Sequence, residues 1–210
     1  MTSDLKLLMG LDEAGRGPVL GPMVIAGVVF AESSNDFFKD YGIKDSKQLS
    51  LKAREEMFRL IDEEALWYKV AVVWPELIDR FVALKGLNHL ECDVMADIIG
   101  SFEEEKSVYV DSPLSPDVFN GMLTTRLNKK NDINCSFKAD TIYPVVSAAS
   151  ILAKVTRDRI IEELKSEYGD FGSGYPGDEK TQRFLANMKE PTYFVRQSWK
   201  INKKAQGSLF

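Results

Sequence analysis

Three acidic sites share a feature that points to chemistry. Asp12-Glu13, Asp111 and Asp140 each lie at or just beyond the end of an apolar, strand-like run. In open α/β sheets, strand ends and the loops beyond them are where functional sites assemble. Carboxylates gathered there from separate strands repel one another and lose solvation unless a positive charge joins them. A hard cation is the natural partner, because magnesium takes oxygen ligands, keeps several waters and bridges to substrate phosphates. Two such ions can stabilise both the attacking and the leaving oxygen of a phosphodiester displacement. Strand-terminal aspartates also cap helices and open turns, so spacing alone leaves both readings open. Asp12 and Glu13 carry a further condition. Neighbouring strand residues point to opposite faces, so both reach one site only if regular strand geometry fails there. The glycines beginning at Gly15 offer a place for that failure.

Other chemistries have little to build on. Serine and cysteine triads need a histidine base, and the single histidine, His89, sits in Leu87-Asn88-His89-Leu90 as a partly packed surface residue. Cys92 and Cys135 lie far apart without CxxC spacing. That argues against a zinc site or a disulfide framework, and they read as buried thiols. The 210 residues fit one domain, or one with a modest appendage. A 44% hydrophobic fraction is ample for a core, and 28% charge is ordinary for a solvated surface. No apolar run is long enough to span a bilayer. The opening Met-Thr-Ser-Asp has no basic stretch leading into an apolar one. An intracellular, cytoplasmic protein is therefore expected. The net charge of −5 does not itself suggest a nucleic-acid partner, but its distribution is uneven. Asp62-Glu63-Glu64 and Glu103-Glu104-Glu105 read as helix ends or solvated turns. The last thirty residues carry Lys180, Arg183, Lys189, Arg196, Lys200, Lys203 and Lys204 against few acids. This is either an electropositive face for phosphates or the ordinary solubility of a tail.

The elements that must position the carboxylates can be read from periodicity and punctuation. Residues 5–12 form a buried strand, and after Gly15, Gly17, Pro18, Gly21 and Pro22 a second strand covers 24–30, suggesting an antiparallel pair. Ser50 caps a helix over 51–64, 67–74 is a strand, and Pro75 opens a helix to 84. A helix over 88–99 stops at Gly100, and a strand over 107–111 ends in its carboxylate. Ser115-Pro116 begins a helix to 127, and a strand over 134–139 leads to Asp140. Pro144 suits the first turn of a long helix to 167, ended by Gly169. The turn Gly172-Ser173-Gly174-Tyr175-Pro176-Gly177 precedes a helix over 178–188. The pattern is α/β, increasingly helical toward the C-terminus, without repeats.

At this point a resemblance becomes specific. Asp12-Glu13-Ala14-Gly15-Arg16-Gly17 with Pro18 and Gly21-Pro22 resembles the N-terminal signature of ribonuclease HII. The likeness continues in family order through Lys44-Asp45-Ser46-Lys47, Tyr109-Val110-Asp111-Ser112 and Lys138-Ala139-Asp140. It covers residues 143–158, Gly172-Ser173-Gly174-Tyr175-Pro176 and the segment Phe194-Val195-Arg196-Gln197-Ser198-Trp199-Lys200. The Asp111-Ser112-Pro113 and Gly-Ser-Gly-Tyr-Pro forms resemble the archaeal type. The resemblance implies a ribonuclease H-like mixed β-sheet flanked by helices, with a small helical C-terminal portion. Residues 1–180 would be the catalytic domain and 181–210 a basic extension. It implies Asp12, Glu13, Asp111 and Asp140 as active-site carboxylates. The first three would be ligands of Mg2+ or Mn2+, with Asp158 a rival for a supporting role or else a surface ion pair.

Telling RNA from DNA requires contact with the 2′-hydroxyl, and glycines let backbone approach a sugar closely. In the family Gly15-Arg16-Gly17 contacts the ribonucleotide beside the cut. Arg16 is also suited to a phosphate, although a tight turn with a solvated arginine has the same sequence. Tyr175 corresponds to a tyrosine that packs on the following sugar; the alternative is a ring tucked against the next helix. Lys47 is expected at the backbone phosphates. Residues 147–150 suit close helix-to-sheet packing, with Ser147 and Ser150 as candidate phosphate contacts. The implied activity is metal-assisted, in-line hydrolysis of the RNA strand of RNA–DNA hybrids and 5′ of single ribonucleotides in duplex DNA. It leaves 3′-hydroxyl and 5′-phosphate ends and serves ribonucleotide repair and primer removal. The end of the chain, with Gln206, Leu209 and Phe210, resembles a shortened sliding-clamp peptide without its second aromatic; Leu-Phe packing on its own domain is the alternative. A monomer is expected. A junction resolvase of the same superfamily and a non-catalytic hybrid-binding protein are the rival readings. The first would not need the Gly-Arg-Gly segment, and the second gains nothing from gathered negative charge.

Overall fold

The computed structural model describes residues 6–34, 50–84, 86–129 and 131–199. Lys44-Asp45-Ser46-Lys47 and the tail with Gln206, Leu209 and Phe210 lie outside them. Five strands form one sheet: β1 (Leu7–Ala14), β2 (Met23–Ala31), β3 (Trp67–Val73), β4 (Ser107–Asp111) and β5 (Asp132–Ser136). Their spatial order is β3-β2-β1-β4-β5. β1 and β2 pair antiparallel, as do β2 and β3, whereas β1–β4 and β4–β5 are parallel. The sheet is therefore mixed, and the C-terminal ends of β1, β4 and β5 share one edge.

The helices among the described residues are α1 (Leu51–Glu64), α2 (Pro75–Leu84), α3 (Leu87–Gly100), α4 (Pro116–Thr124), α5 (Ala139–Ile142), α6 (Pro144–Tyr168) and α7 (Glu179–Asn187). Ser50 caps α1 as expected, its hydroxyl accepting from the Ala53 amide at 3.2 Å. Gly169, at φ +87°, ends α6. β1 and β2 are buried along nearly their whole length, as strands covered on both faces must be. Alternation along β1 sorts its side chains. Leu7, Met9 and Leu11 join Ile78, Met95, Ile98 and Phe119 from α2, α3 and α4. Leu8 and Ala14 join Ile61 of α1 and Val145, Ala149 and Leu152 of α6.

Three local boundaries differ from the sequence expectation, the first being β1, which runs over Leu7–Ala14 rather than 5–12. β5 runs over 132–136 rather than 134–139, because its ladder with β4 starts at Ser107 opposite Asp132. The chain then turns through Lys138, at φ +54°, and the Ala139 amide donates to the Asp111 carboxylate at 2.9 Å. That bond starts α5 and places Asp140 on a helix rather than on a strand end. α4 stops at Thr124 and passes into a turn at Thr125-Arg126.

Residues 171–199 complete a third cluster, in which Phe171, Phe194 and Val195 pack with Val19, Leu20, Ile161 and Leu164. Phe184 and Leu185 of α7 lie against it. Among the described residues no helix is long and apolar enough to cross a membrane.

Candidate active site

β1 reaches past its ladder with β4. The last parallel pair is Leu11 with Val110, yet pairing with β2 continues through Asp12–Ala26, Glu13–Ile25 and Ala14–Val24. The expected failure of strand geometry at Asp12-Glu13 therefore does not occur. The two side chains do take opposite faces, and the site is assembled across the end of the sheet instead of on one side of it. Asp12 faces α6, where the Ser150 hydroxyl hydrogen-bonds to its carboxylate, and its Oδ1 also accepts from the Glu13 amide at 2.7 Å. Glu13 faces α3 and the carboxylate of Glu91. Asp111, at the tip of β4, lies close enough to repel both. Asp140 is buried at the start of α5 beside it.

This charge arrangement is costly without a cation. Burial, followed by repulsion from Glu13 and Asp111, holds Asp12 well above the usual carboxylate range. Burial, then Glu91 and Asp111, pushes Glu13 up to about 7. Glu13 Oε2 is buried without a hydrogen-bond partner. These features fit a divalent cation. Among the described residues no three Asp, Glu, His or Cys side chains converge as a ready-made cage, but magnesium is usually held by one or two carboxylates, waters and substrate phosphates.

The pH dependence follows in sign. A carboxyl whose folded pKa lies above its unfolded value contributes stability below the unfolded pKa and loses it as pH rises through the folded one. For Glu13 the window runs from about 4.5 to about 7, and Asp12 acts in the same sense. Metal-free protein in EDTA is expected to lose about 3 kcal/mol from Glu13 alone across this window. Thermal melts at pH 5 and pH 8 check this, and a transition temperature that rises between them would refute it.

Beside these carboxylates lies a cavity of about 400 Å3, lined by Glu13, Gly15, Ser150 and Tyr175 and by Arg54, Lys154 and Arg157. Four residues expected from the sequence thus share one wall. Gly15 (φ +81°) has no room for a Cβ, which would overlap the Arg157 side chain. A Cβ on Gly17 would sit 3.1 Å from the Tyr175 ring, so the ring lies against the glycine. The ring itself is 50% exposed. Ser147 is fully buried between α6 and the sheet, and close packing there also depends on Gly10, where any side chain would overlap the Val145 backbone.

Arg16 is directed inward. Its Nε donates to Glu91 at 2.7 Å and its Nη2 to Asn88 at 2.6 Å. Asp158 accepts from Lys154 at 2.6 Å and from Arg54 at 3.3 Å, an ion-paired position that holds two cations at the cavity rather than pairing with its neighbours Arg157 and Arg159. Arg54, Lys154 and Glu91 were not singled out by the sequence reading. Asn88 and Glu91 sit three apart on α3 and so share a face, but nothing local says that this face meets residue 16. The basic C-terminal end is less available than its composition suggests. Arg196 is completely buried, Lys180 pairs with Asp170, and Arg183 pairs with Glu179. His89 is half-buried, with Nδ1 at 3.0 Å from Arg126. Both cysteines are free, and burial pushes Cys92 up to about 11 and Cys135 up to about 12, so neither is a thiolate nucleophile. A larger open cleft, about 1440 Å3, lies at the other end of the sheet by Leu7, Ser107 and Asp132, away from the carboxylates.

A mixed sheet with carboxylates at the shared ends of β1 and β4, backed by a long helix, defines an α/β protein of the ribonuclease H-like class. Solved structures agree. The ribonuclease H2 of Pyrococcus horikoshii OT3 superposes with a TM-score of 0.88 at 38% identity, covering 95% of this chain and 97% of that one. The RNase HII in the PCNA:RNase HII complex from Archaeoglobus fulgidus gives 0.86 at 39% identity, covering 96% and 98%. The Ribonuclease HII family model matches residues 9–202. The Ribonuclease HII of Methanococcus maripaludis strain S2 is 44% identical, covering 96% of this chain and 86% of its own length. The chain belongs to the ribonuclease HII family, with relatives of the archaeal type. It is accordingly a type 2 ribonuclease H, a nuclease acting on RNA–DNA hybrids.

Proposed function

We propose that this enzyme hydrolyses the RNA strand of hybrids and also cuts on the 5′ side of a single ribonucleotide embedded in duplex DNA, leaving 3′-hydroxyl and 5′-phosphate ends. The observation that carries this reading is the placing of Tyr175 against Gly17 at a cavity that Glu13 and Gly15 also line. A sugar-reading loop, an exposed aromatic and one of the acidic residues thereby line one cavity. The backbone of Gly15-Arg16-Gly17 reads the 2′-hydroxyl, and the Tyr175 ring packs on the next sugar. Arg54, Lys154 and Ser150 line the cavity as seats for backbone phosphates, with Lys47 a further candidate, whereas the buried Ser147 serves packing. Arg16, bonded to Glu91 and Asn88, shapes the loop from behind.

Asp12, Glu13 and Asp111 are the residues that would hold Mg2+ or Mn2+, and Asp140 completes the acidic set. When bound, such a cation supplies Lewis-acid polarisation of the scissile phosphate and activates the attacking water. The protein's own contribution is to aim the phosphodiester at these carboxylates and to admit only a sugar that satisfies the loop. Acting as a monomer, the enzyme would serve ribonucleotide repair and primer removal.

A labelled duplex carrying one ribonucleotide, incubated with magnesium, manganese or EDTA beside an all-DNA duplex, tests the reading. A metal-dependent nick immediately 5′ of the ribonucleotide, absent from all-DNA, is expected; binding without any nick under either metal would refute it.

The tail with Gln206, Leu209 and Phe210 we assign to a sliding clamp, in keeping with the Archaeoglobus fulgidus complex of PCNA with RNase HII. Its apolar anchors suit a hydrophobic groove. Surface plasmon resonance against an archaeal PCNA should show binding of the full chain that Phe210→Ala weakens at least tenfold. Equal binding by the two proteins would remove the assignment.

A further inference from the structure

The loop that follows the catalytic carboxylates is held from beneath by a strap formed by residues 194–199. Leu20 and Val195 form an isolated antiparallel bridge. The Gly21 amide donates to the Phe194 carbonyl at 2.7 Å, and the Arg196 amide to the Val19 carbonyl at 2.9 Å. The strap is itself anchored on α2, where the Asp79 carboxylate accepts the amides of Gln197 and Ser198 at 2.9 and 3.0 Å. Two strap side chains then reach the loop. The Arg196 guanidinium donates to the carbonyls of Gly15 at 2.5 Å, Arg16 at 2.8 Å and Gly21 at 3.1 Å. The Trp199 indole N–H donates to the Gly17 carbonyl at 3.0 Å, and its ring stacks on the Arg196 guanidinium with 4.9 Å between centres.

A fully buried arginine is expensive unless its donors are satisfied. Asp79 and Glu91 attract Arg196 without a direct ion pair among the described residues, and its N–H donors are taken by backbone carbonyls. Charge-assisted bonds are the stronger ones, and the planar fork sets their directions. Three successive carbonyls, at 15, 16 and 17, are thus turned toward the strap. Among the described residues no protein acceptor takes the amides of Gly15, Arg16 or Gly17. The carbonyl edge of the loop is thus taken up by the protein, while its amides are left for water or a ligand.

We infer that Arg196 and Trp199 are positioning residues for ribonucleotide recognition: by capturing the carbonyls of Gly15, Arg16 and Gly17 they hold this loop in the orientation that places the 2′-hydroxyl and the scissile phosphate against the carboxylates. Neither residue touches substrate. The inference rests on the reading that this loop senses the ribonucleotide, and it assigns to the C-terminal strap a part of the specificity that the loop sequence alone does not contain.

Trp199→Phe removes the indole N–H that reaches Gly17 and leaves a smaller aromatic ring beside Arg196, so it is read against a separate packing control. Steady-state kinetics on the single-ribonucleotide duplex should show kcat lowered about tenfold, a loss typical of misplacing reacting groups slightly. KM, and the inhibition constant of an all-DNA duplex added as competitor, should stay within about twofold, since phosphate contacts elsewhere are untouched. Arg196→Met should lose more than Trp199→Phe, and Arg196→Lys, which retains a cation and fewer donors, should lie between Arg196→Met and wild type. Leu123→Ala, which opens the core on the α4 side and not at the strap, should lower the melting temperature and leave kcat unchanged. A Trp199→Phe enzyme that matches wild type, or a Leu123→Ala enzyme whose kcat falls as far, overturns the inference while the sensing loop stands. Wild-type protein that does not nick at the ribonucleotide overturns the reading beneath it instead.

Discussion

Asp12→Asn is expected to lower nicking of a ribonucleotide-containing duplex by about a thousandfold or more while making the metal-free protein more stable. Both halves follow from the same burial. Asp12 is 4% exposed, accepts from the Glu13 amide and from Ser150, and faces the charges of Glu13 and Asp111. Asparagine keeps an acceptor oxygen for those bonds but removes the negative charge that a cation needs. Losing several kcal/mol of charge stabilisation corresponds to a rate loss of this order. The same neutralisation removes the cost of burying a charge, and then the repulsion from Glu13 and Asp111, that hold Asp12 well above the usual carboxylate range. In EDTA at pH 8 the variant should therefore melt a few degrees above wild type, where each kcal/mol shifts the midpoint by about 2–4 °C in a chain of this size. The gain should disappear near pH 4, where the wild-type carboxyl is protonated. A variant that keeps its activity, or one that melts lower than wild type at pH 8, would remove Asp12 from the metal-binding set.

Gly10→Ala should be the most damaging single methyl in the sheet. Gly10 lies on the β1 face toward α6, and a Cβ there would overlap the Val145 carbonyl and the amide of Val146. These are backbone atoms at the start of α6, so no rotamer change relieves the clash. Helix and strand must separate. Overpacking of this kind costs about 1–3 kcal/mol, and more where backbone must move. A loss of about 3 kcal/mol or more is expected here. The consequence reaches function, because α6 carries the Ser150 hydroxyl that bonds Asp12 and the Arg157 side chain against Gly15. Chemical denaturation should show a lowered midpoint, with kcat reduced even at temperatures where the variant is folded. Wild-type stability in Gly10→Ala would mean that α6 does not sit this close to β1.

The alternation of apolar runs with caps and glycines marks most elements to within a residue or two, because those signals are local: Ser50 before α1, Pro144 opening α6, Gly169 closing it. The mixed sheet and its flanking helices were also implied by the ordered motifs. β5 was less legible, since it is polar and only half-buried, and its start depends on pairing with β4. Arg16 and Arg196 could not be placed from composition. A basic residue beside a glycine loop, or in a basic tail, has the sequence of a phosphate contact. Arg16 is claimed by Glu91, 75 residues away, and Arg196 by carbonyls 175 to 181 residues away.

By itself, then, the sequence determined which chemistry is available and at which points along the chain. It supplied carboxylates at the ends of apolar strands, no histidine-based nucleophile, a Gly-Arg-Gly segment beside the acids and a loop tyrosine. The tertiary structure decided how these groups are shared between surfaces. It kept β1 paired with β2 through Ala14, which sent Asp12 toward α6 and Glu13 toward α3 and joined them only across the sheet's end with Asp111. It buried Arg196 beneath the loop and left Tyr175 exposed above it. Local patterning encodes secondary structure because it acts between residues three or four apart, or two apart, along the chain. Which partner satisfies a buried charge is settled only when distant segments compete to solvate it.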